Sequence, residues 1–189
     1  MIDTQSSMQT DQRWYALQVR SRYERAVSTV LRYKGFTEFL PIYRSRRHWS
    51  KRIAEIELPL FPGYVFCRLD RAERSVPIMT TPGVIAIVGF AGTPVPIDYD
   101  EIEAIRRVLD TGIAAEPWKY ISSGQRVRVE YGALAGLEGI LIQAQKDHRL
   151  LLSVTLLQRS VTLQIDEACV VPIKSAFGVV SPAAILAAR

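Results

Sequence analysis

The chain has 189 residues, 48% of them apolar, and a formal net charge of +5. This length allows one large domain or two small ones, and the apolar content indicates a globular protein that can bury a core. No apolar run approaches the roughly 18 residues of a membrane-spanning helix, and segment 1–12 lacks the apolar stretch of a secretory signal. We therefore expect a cytoplasmic protein with a disordered leader.

Basic side chains are concentrated in the first third of the chain. Residues 13–58 carry a net charge of +7, residues 98–116 a net charge of −4, and residues 122–173 a net charge of zero. This contrast predicts a polyanion-binding N-terminal part and a C-terminal part with a different kind of partner. Cys67 and Cys169 lie far apart in apolar surroundings, which favours buried free thiols over a disulfide or a metal site.

The chain begins with a strand and a helix. Residues 13–19 are aromatic and β-branched, which predicts a first strand. Ser21 and Glu24 have the spacing of a capping box, and Gly35 supplies the end of the helix that follows. One face of this helix carries Tyr23, Val27, Val30 and Leu31, which we expect to pack inward.

Two more strands are predicted at 36–43 and 53–58. The segment between them, 44–52, is too charged to pack, so we expect it to protrude as a hairpin or loop.

Residues 58–70 combine a Pro-Gly turn with a fourth strand of period-2 alternation. Val65, Cys67 and Leu69 share one face of this strand, and the other face carries Tyr64, Phe66 and Arg68. Phe61 adds a third aromatic ring beside the latter face. Such a cluster either packs against a helix of its own domain or docks a helix of a partner.

A short helix is expected at 71–80 and a fifth strand at 84–88, whose continuous hydrophobicity predicts a central position in the sheet. Asp98 with Glu101 predicts the cap of a further helix that ends at Thr111-Gly112. Its inward face is expected to carry Ile102, Ile105, Val108 and Leu109.

The last third reads as a small barrel. Five short strands are predicted in about 50 residues, at 125–130, 138–145, 149–155, 161–165 and 168–172. Gly132, Gly136 and Gly139 fit turns that need positive φ. The predicted class is α+β: an antiparallel sheet flanked by helices at 13–111, a linker at 112–122, an SH3-like β-barrel at 123–174, and an Ala-rich tail at 175–189.

The chain resembles the NusG family of transcription elongation factors over nearly its whole length, from residue 14 to residue 173, and four stretches carry this resemblance. Residues 124–129 and 132–139 are similar to the KOW motif, which alone is weak because ribosomal proteins carry it too. Residues 57–62 more closely resemble the specialised members, RfaH and the capsule-operon (UpxY-type) antiterminators. The other matching stretches are 14–19, the N-terminal signature 60–66, and 81–84 with 96–97.

The resemblance implies an N-terminal domain that binds RNA polymerase, with a hydrophobic pocket for the clamp helices of the largest catalytic subunit. The matching positions are Trp14, Phe61, Tyr64 and Phe66, while Ser75 matches the region that contacts the gate-loop side. The KOW barrel is expected to recruit a protein partner, a ribosomal protein or termination factor Rho, through Leu156, Leu157 and Arg159. Leu157-Gln158 stands where the housekeeping factor has a Phe-Gly pair, which argues against Rho.

The basic surface has two parts, and its bland interpretation is a solvated face. Clustering beside Trp49 favours nucleic-acid contact instead, because guanidinium groups neutralise phosphates and an indole stacks on an unpaired base. The resemblance further implies that the first-helix arginines contact the exposed non-template DNA strand. The residues are Arg20, Arg22 and Arg25 at the first helix, and Arg44, Arg46, Arg47, Trp49, Lys51 and Arg52 in the charged segment.

Catalysis is not expected. The acids at 98–103 are better explained by a helix dipole than by a metal site, and no Ser-His-Asp or Cys-His pattern is present. The sequence therefore predicts a monomeric, cofactor-free elongation and antitermination factor with a stable barrel. A KOW-type RNA- or ribosome-binding protein would need a basic barrel, and a nuclease would need a carboxylate cluster on strand ends.

Overall fold

The computed structural model describes residues 12–49, 52–69, 75–119, 124–144 and 147–173. Among these residues two antiparallel sheets dominate, one of four strands and one of six, and two two-stranded ribbons accompany them, one long and one short. The elements in chain order are β1 (Arg13–Val19), α1 (Glu24–Tyr33), β2 (Glu38–Phe39), β3 (Ile42–Trp49), β4 (Arg52–Pro59), β5 (Tyr64–Leu69), α2 (Ser75–Met79), β6 (Val84–Ile87), β7 (Gly89–Phe90), β8 (Thr93–Pro94), α3 (Tyr99–Asp110), β9 (Ala115–Lys119), β10 (Gln125–Val129), β11 (Glu138–Ala144), β12 (Asp147–Val154), β13 (Arg159–Gln164) and β14 (Val170–Pro172).

The first sheet has the order β2-β5-β1-β6, so β1 and β5 are its central strands. They pair antiparallel from Arg13↔Leu69 to Gln18↔Tyr64. Because side chains alternate along a strand, one face carries a core of Leu17, Val65 and Cys67 that packs under α1 and α2. The opposite face carries Trp14 and Phe66, which pack with α3. The mixed fold with antiparallel sheets was predicted correctly.

The strand β6 is at the edge of the sheet, so the prediction of a central position for 84–88 was wrong. One of its apolar side chains faces solvent, because Ile85 is 51% exposed while its neighbours are half-buried. Continuous hydrophobicity did not distinguish a central strand from an edge strand. The second strand is also shorter than predicted, since only Glu38–Phe39 pair with β5.

The start of α1 differs from the predicted capping box. The N-cap residue is Tyr23, without any side-chain capping bond. Glu24 is 6% exposed and accepts a hydrogen bond from the Gly63 N–H at 2.8 Å. Tyr23 is 43% exposed, so it does not join Val27 and Leu31 in the core. The Glu24 carboxylate therefore binds the turn at Gly63, although its spacing from Ser21 predicted that it would cap the helix.

The described residues of the charged segment, 44–49 and 52, lie in a two-stranded ribbon, β3–β4, separate from the four-stranded sheet. Its register runs from Ile42↔Pro59 to Trp49↔Arg52 and pairs Arg44 with Glu57. The hairpin alternative is therefore correct.

The helix α3 begins at Asp98, whose side chain accepts the Asp100 N–H at 2.9 Å, and it ends at Thr111. Ile102, Ile105 and Val108 are buried as predicted. Glu101, however, accepts hydrogen bonds from Thr155, in the turn that follows β12, instead of capping the helix.

The C-terminal sheet has the order β14-β10-β11-β12-β13-β9, and five of its strands match the predicted barrel strands. The sixth, β9, lies inside the segment predicted as linker: Ala115–Lys119 pairs with β13 along five positions. The linker signal failed because this strand contains Pro117, and an edge strand tolerates proline.

Two of the three barrel glycines have the expected left-handed backbone, with φ of +85° at Gly132 and +84° at Gly136. Gly139 does not. A Cβ there would lie 2.6 Å from the Leu151 carbonyl oxygen, so close strand packing requires this glycine.

Both cysteines are free thiols. Burial raises the pKa of the Cys67 thiol to about 12, so this group is protonated and inert at neutral pH. No helix among the described residues is long and apolar enough to span a membrane. The predictions for the leader, for Lys51, for residues 71–74 and for the tail lie outside the described residues.

Candidate functional site

The aromatic residues of the N-terminal signature form a layer on the α3 side of the first sheet. Phe61 and Phe66 meet edge-to-face, with ring centroids 5.4 Å apart, and Phe39 of β2 extends the layer to Trp14. Trp14, Phe61 and Phe66 are at most 2% exposed. Tyr64 is half-buried, as is Phe39, which was not among the predicted pocket residues. The predicted pocket residues are therefore together, but three of the four belong to the core in this conformation.

Two arginines cover the Trp14 end of this layer. The guanidinium carbon of Arg106 lies 5.3 Å from the Trp14 ring centroid and 5.0 Å from that of Phe39, and that of Arg68 lies 5.7 Å from Trp14. Within the described part of the chain, the indole N–H of Trp14 and the Nε of Arg68 are buried without a hydrogen-bond partner. Arg106 also pairs with Glu103 at 3.5 Å. The rim thus carries cationic groups beside apolar surface.

The Pro-Gly turn is fixed to the first helix by hydrogen bonds. Gly63 has φ of +83°, donates its N–H to Glu24 and accepts the Val19 N–H at 2.9 Å. The turn closes through a bond from the Tyr64 N–H to the Phe61 carbonyl at 3.1 Å. Glu24 therefore holds the aromatic turn and the basic helix start in one arrangement.

Arg25 and Arg44 converge on one carboxylate. Arg25 binds Glu57 at 2.9 Å, and Arg44 lies 4.0 Å from the same residue. The hydrogen bond and the charge of Arg25 lower the pKa of Glu57 below its usual value. This triad links α1 to the base of the β3–β4 ribbon and retains one net positive charge.

Arg20 and Arg22 behave differently. Both are exposed in the turn between β1 and α1, and neither forms an ion pair within the part of the chain that the structure describes. The strands of the ribbon include Arg46, Arg47, Trp49 and Arg52. The structure describes the backbone of these four residues and not their side chains.

The barrel turn predicted to bind a partner faces α3. Thr155 donates its N–H at 3.1 Å and its hydroxyl at 2.6 Å to Glu101. Arg107 donates to the Ala135 carbonyl at 2.8 Å. Leu157 is 8% exposed and belongs to the buried cluster that includes Trp14 and Phe66, while Leu156 is half-buried and Arg159 is exposed.

A cavity of about 640 Å³ opens between α3 and the barrel, lined by acids of the helix start and by β10 to β12. The contact between the two parts is therefore incompletely packed.

Ser75 lies apart from the aromatic layer. It begins α2, whose Ile78 packs with Leu17 and Val65 on the opposite face of the sheet. Among the described residues no group of His, Cys, Asp and Glu has a metal-binding arrangement.

Sequence reasoning missed Phe39, Arg106 and the two tertiary carboxylates, Glu24 and Glu101. Both glutamates occupy capping positions, so their spacing pointed to local bonds.

A sequence profile described as "Transcription termination factor nusG" matches residues 12–106. The transcription termination/antitermination protein NusG of Pseudomonas aeruginosa is 30% identical over 169 residues, which cover 82% of this chain and 94% of that protein. The protein of the same name from Lactococcus lactis is 27% identical over 170 residues, covering 82% and 90%. A solved structure titled "Domain interaction in Thermotoga maritima NusG" aligns with 22% identity and a TM-score of 0.49, covering 86% of this chain and 98% of that one.

Proposed function

The chain belongs to the NusG family of transcription termination/antitermination factors, and we propose that it binds transcribing RNA polymerase through its N-terminal domain. The observation that carries this proposal is the aromatic layer of Trp14, Phe61 and Phe66, with half-exposed Tyr64 beside it. Aromatic anchors with arginines at the rim are typical of the centre of protein interfaces.

The proposed occupant is the clamp helix pair of the largest polymerase subunit. A helix contacts such a layer through apolar side chains spaced three and four residues apart. Because Phe61 and Phe66 are fully buried, Tyr64 with Arg68 and Arg106 would make the first contact. For the clamp helices to reach Phe61 and Phe66, α3 and the barrel packed on it would have to move away.

Docking of this kind acts on pausing through differential binding. A factor that binds the closed, elongating polymerase more tightly than the paused one shifts the population toward elongation. We propose this as the mechanism, with Ser75 on the opposite face of the sheet contacting the far side of the cleft.

The basic groups would contact the non-template DNA strand. Arg20 and Arg22 are exposed and unpaired among the described residues, so they are available to phosphates without breaking an ion pair. Arg25 and Arg44 share Glu57 and retain one positive charge between them. Lys51 and the ribbon residues Arg46, Arg47, Trp49 and Arg52 would extend this contact.

The barrel would recruit a protein partner, with a ribosomal protein favoured over Rho, through Leu156, Leu157 and Arg159. Its net charge of zero favours a protein over a nucleic acid. Because Leu157 is buried and Thr155 is bound to Glu101, this recruitment requires the barrel to leave α3. The free thiols of Cys67 and Cys169 fit the reducing cytoplasm in which such a factor would work.

The test of polymerase docking is retention of core RNA polymerase by immobilised full-length protein. Tyr64→Ala should reduce retention by about tenfold or more, because truncating an interface aromatic costs about 2 kcal/mol. Phe61→Ala is a poorer probe, since removing a fully buried phenyl ring costs about 3–5 kcal/mol of folding stability.

The matched control is Tyr33→Ala, which removes an 89% exposed tyrosine from α1, on the other side of the sheet. It should retain polymerase like the wild type. Equal retention by Tyr64→Ala would refute docking at this layer.

A further inference from the structure

Three turns that are distant in sequence meet beside the start of α1. The turn 20–23 follows β1, the turn 61–64 precedes β5, and the turn 81–83 precedes β6. The Arg20 N–H donates to the Gly83 carbonyl at 2.8 Å, and the Tyr23 N–H donates to the Arg20 carbonyl at 3.0 Å. Glu24 adds the bond to Gly63. The backbone at this junction is therefore held at several points.

Tyr23 lies on this junction with part of its ring in solvent. The ring packs against the backbone of Gly83, where an added Cβ would lie 2.6 Å from Tyr23 Cδ1. Gly83 also has φ of +97°, so two independent features require glycine there. The residue is 43% exposed, and its sequence neighbours Arg22 and Arg25 are exposed as well. The Tyr23 ring is thus packed against a well-ordered backbone on one side and accessible to solvent on another.

The charges around this ring complement a polyanion. Arg20 and Arg22 form no ion pair with any described residue, in contrast to Arg25, which is bound to Glu57. Arg22 has φ of +68°, an uncommon conformation for a side chain of this size. Arg20 and Arg22 thus both lie in the turn that ends at Tyr23, one to three positions before the ring.

We infer that Tyr23 stacks on an unpaired base of single-stranded DNA, while Arg20 and Arg22 bind the flanking phosphates. This inference rests on the proposed nucleic-acid contact and adds the residue that would hold the base. A base and a phenol ring stack through their faces, and the neighbouring arginines neutralise the backbone, which is the arrangement that single-strand-binding proteins use. The sequence pointed to Trp49 for this role and to the core for Tyr23.

The experiment measures binding of a short fluorescent oligothymidylate to the full chain by anisotropy, from about 50 to 200 mM salt. Tyr23→Ala should weaken binding by roughly tenfold or more, and Tyr23→Phe should stay within about twofold of the wild type. The alanine variant could weaken binding simply by folding poorly. Tyr23→Leu controls for this, because leucine keeps an apolar contact with Gly83 but has no aromatic face. It should therefore bind the oligonucleotide as weakly as Tyr23→Ala. Tyr33→Ala, on the same helix, is the control and should bind normally.

The salt dependence separates stacking from charge. Tyr23→Leu should leave the slope of log affinity against log salt unchanged, whereas Arg22→Ala should reduce it by about 0.7 because one phosphate contact is lost. The same series with oligouridylate distinguishes the strand: stronger binding of the RNA would contradict the choice of DNA.

Normal binding by Tyr23→Leu, with weakened binding by Arg22→Ala, would overturn the stacking role and leave the proposed nucleic-acid contact standing. A loss in Tyr23→Phe as large as in Tyr23→Leu would also overturn it, because the hydroxyl would then be responsible. Absence of wild-type binding would overturn both, whereas polymerase retention is tested separately.

Discussion

At the scale of single residues, carboxylates near helix starts form hydrogen bonds to residues that are distant in sequence. Glu24 is the clearest case, because its side chain is buried and accepts the N–H of a glycine 39 positions away. A buried N–H that loses its acceptor costs about 1–3 kcal/mol. The Pro-Gly turn, and with it Phe61 and Tyr64, therefore depends on one carboxylate.

Glu24→Ala should lower the free energy of unfolding by about 1–3 kcal/mol in urea denaturation, since the Gly63 N–H is left without a partner. Glu24→Gln should lose less, because its amide oxygen can still accept this bond. The control is Glu57→Ala, which removes an exposed ion pair and should change stability only slightly. Equal losses in Glu24→Ala and Glu57→Ala would contradict the role of the buried bond.

At the scale of elements, the strand β9 joins the barrel to the N-terminal part. It pairs with β13 from Arg159↔Lys119 to Leu163↔Ala115 and covers what would otherwise be an exposed edge. The guanidinium of Arg149 stacks on Trp118, with 5.6 Å from its central carbon to the ring centroid. Some polar atoms at this edge are unsatisfied, because Trp118 Nε1, Arg149 Nε and Thr162 Oγ1 are buried without a hydrogen-bond partner among the described residues.

Trp118→Ala should lower the free energy of unfolding by about 1–2 kcal/mol, because both the half-buried ring and its stacking on Arg149 are lost. In hydrogen exchange, the β9 amides that are protected in the wild type should become less protected in this variant. Tyr131→Ala removes a 65% exposed ring elsewhere on the barrel and serves as the control. Unchanged exchange of these β9 amides would show that Trp118 does not hold the strand in place.

At the scale of the whole molecule, α3 lies between the two sheets. Its apolar face packs on the aromatic layer, and its polar residues Glu101 and Arg107 bind the barrel. The same helix therefore adjoins both surfaces that the proposed function needs. Release of the barrel would expose the turn that we propose binds a partner, and it would loosen the cover of the aromatic layer.

Glu101→Ala should favour separation of the barrel, because two donors of Thr155 lose a charged acceptor. With a net cost of about 1 kcal/mol, the separated population should rise roughly fivefold. Energy transfer between dyes on the two parts measures this change. The control is Asp110→Ala, at the exposed end of α3, which should leave the transfer efficiency as in the wild type. If Glu101→Ala also showed the wild-type efficiency, the contact between Glu101 and Thr155 would not be what holds the barrel on α3.

Local pattern was sufficient for much of the architecture. The alternation in 64–69 correctly divided Val65 and Cys67 from Tyr64 and Phe66, and the spacing in 102–108 identified the inward face of α3. Five barrel strands followed from β-branched runs and glycine turns. These features depend on the period of a strand or a helix, which neighbouring residues alone determine.

The tertiary structure determined which partners the polar side chains bind and which strands lie at the edges of the sheets. Glu24 and Glu101 have the sequence spacing of caps, yet each binds a backbone N–H that only folding brings near. Pro117 looked like part of a linker because its pairing partner is 44 positions later in the chain. The alternation of the signature strand was a property of the sequence by itself, whereas the burial of Phe61 and Phe66 depended on the packing of α3, since a side chain's exposure is set by what folds over it.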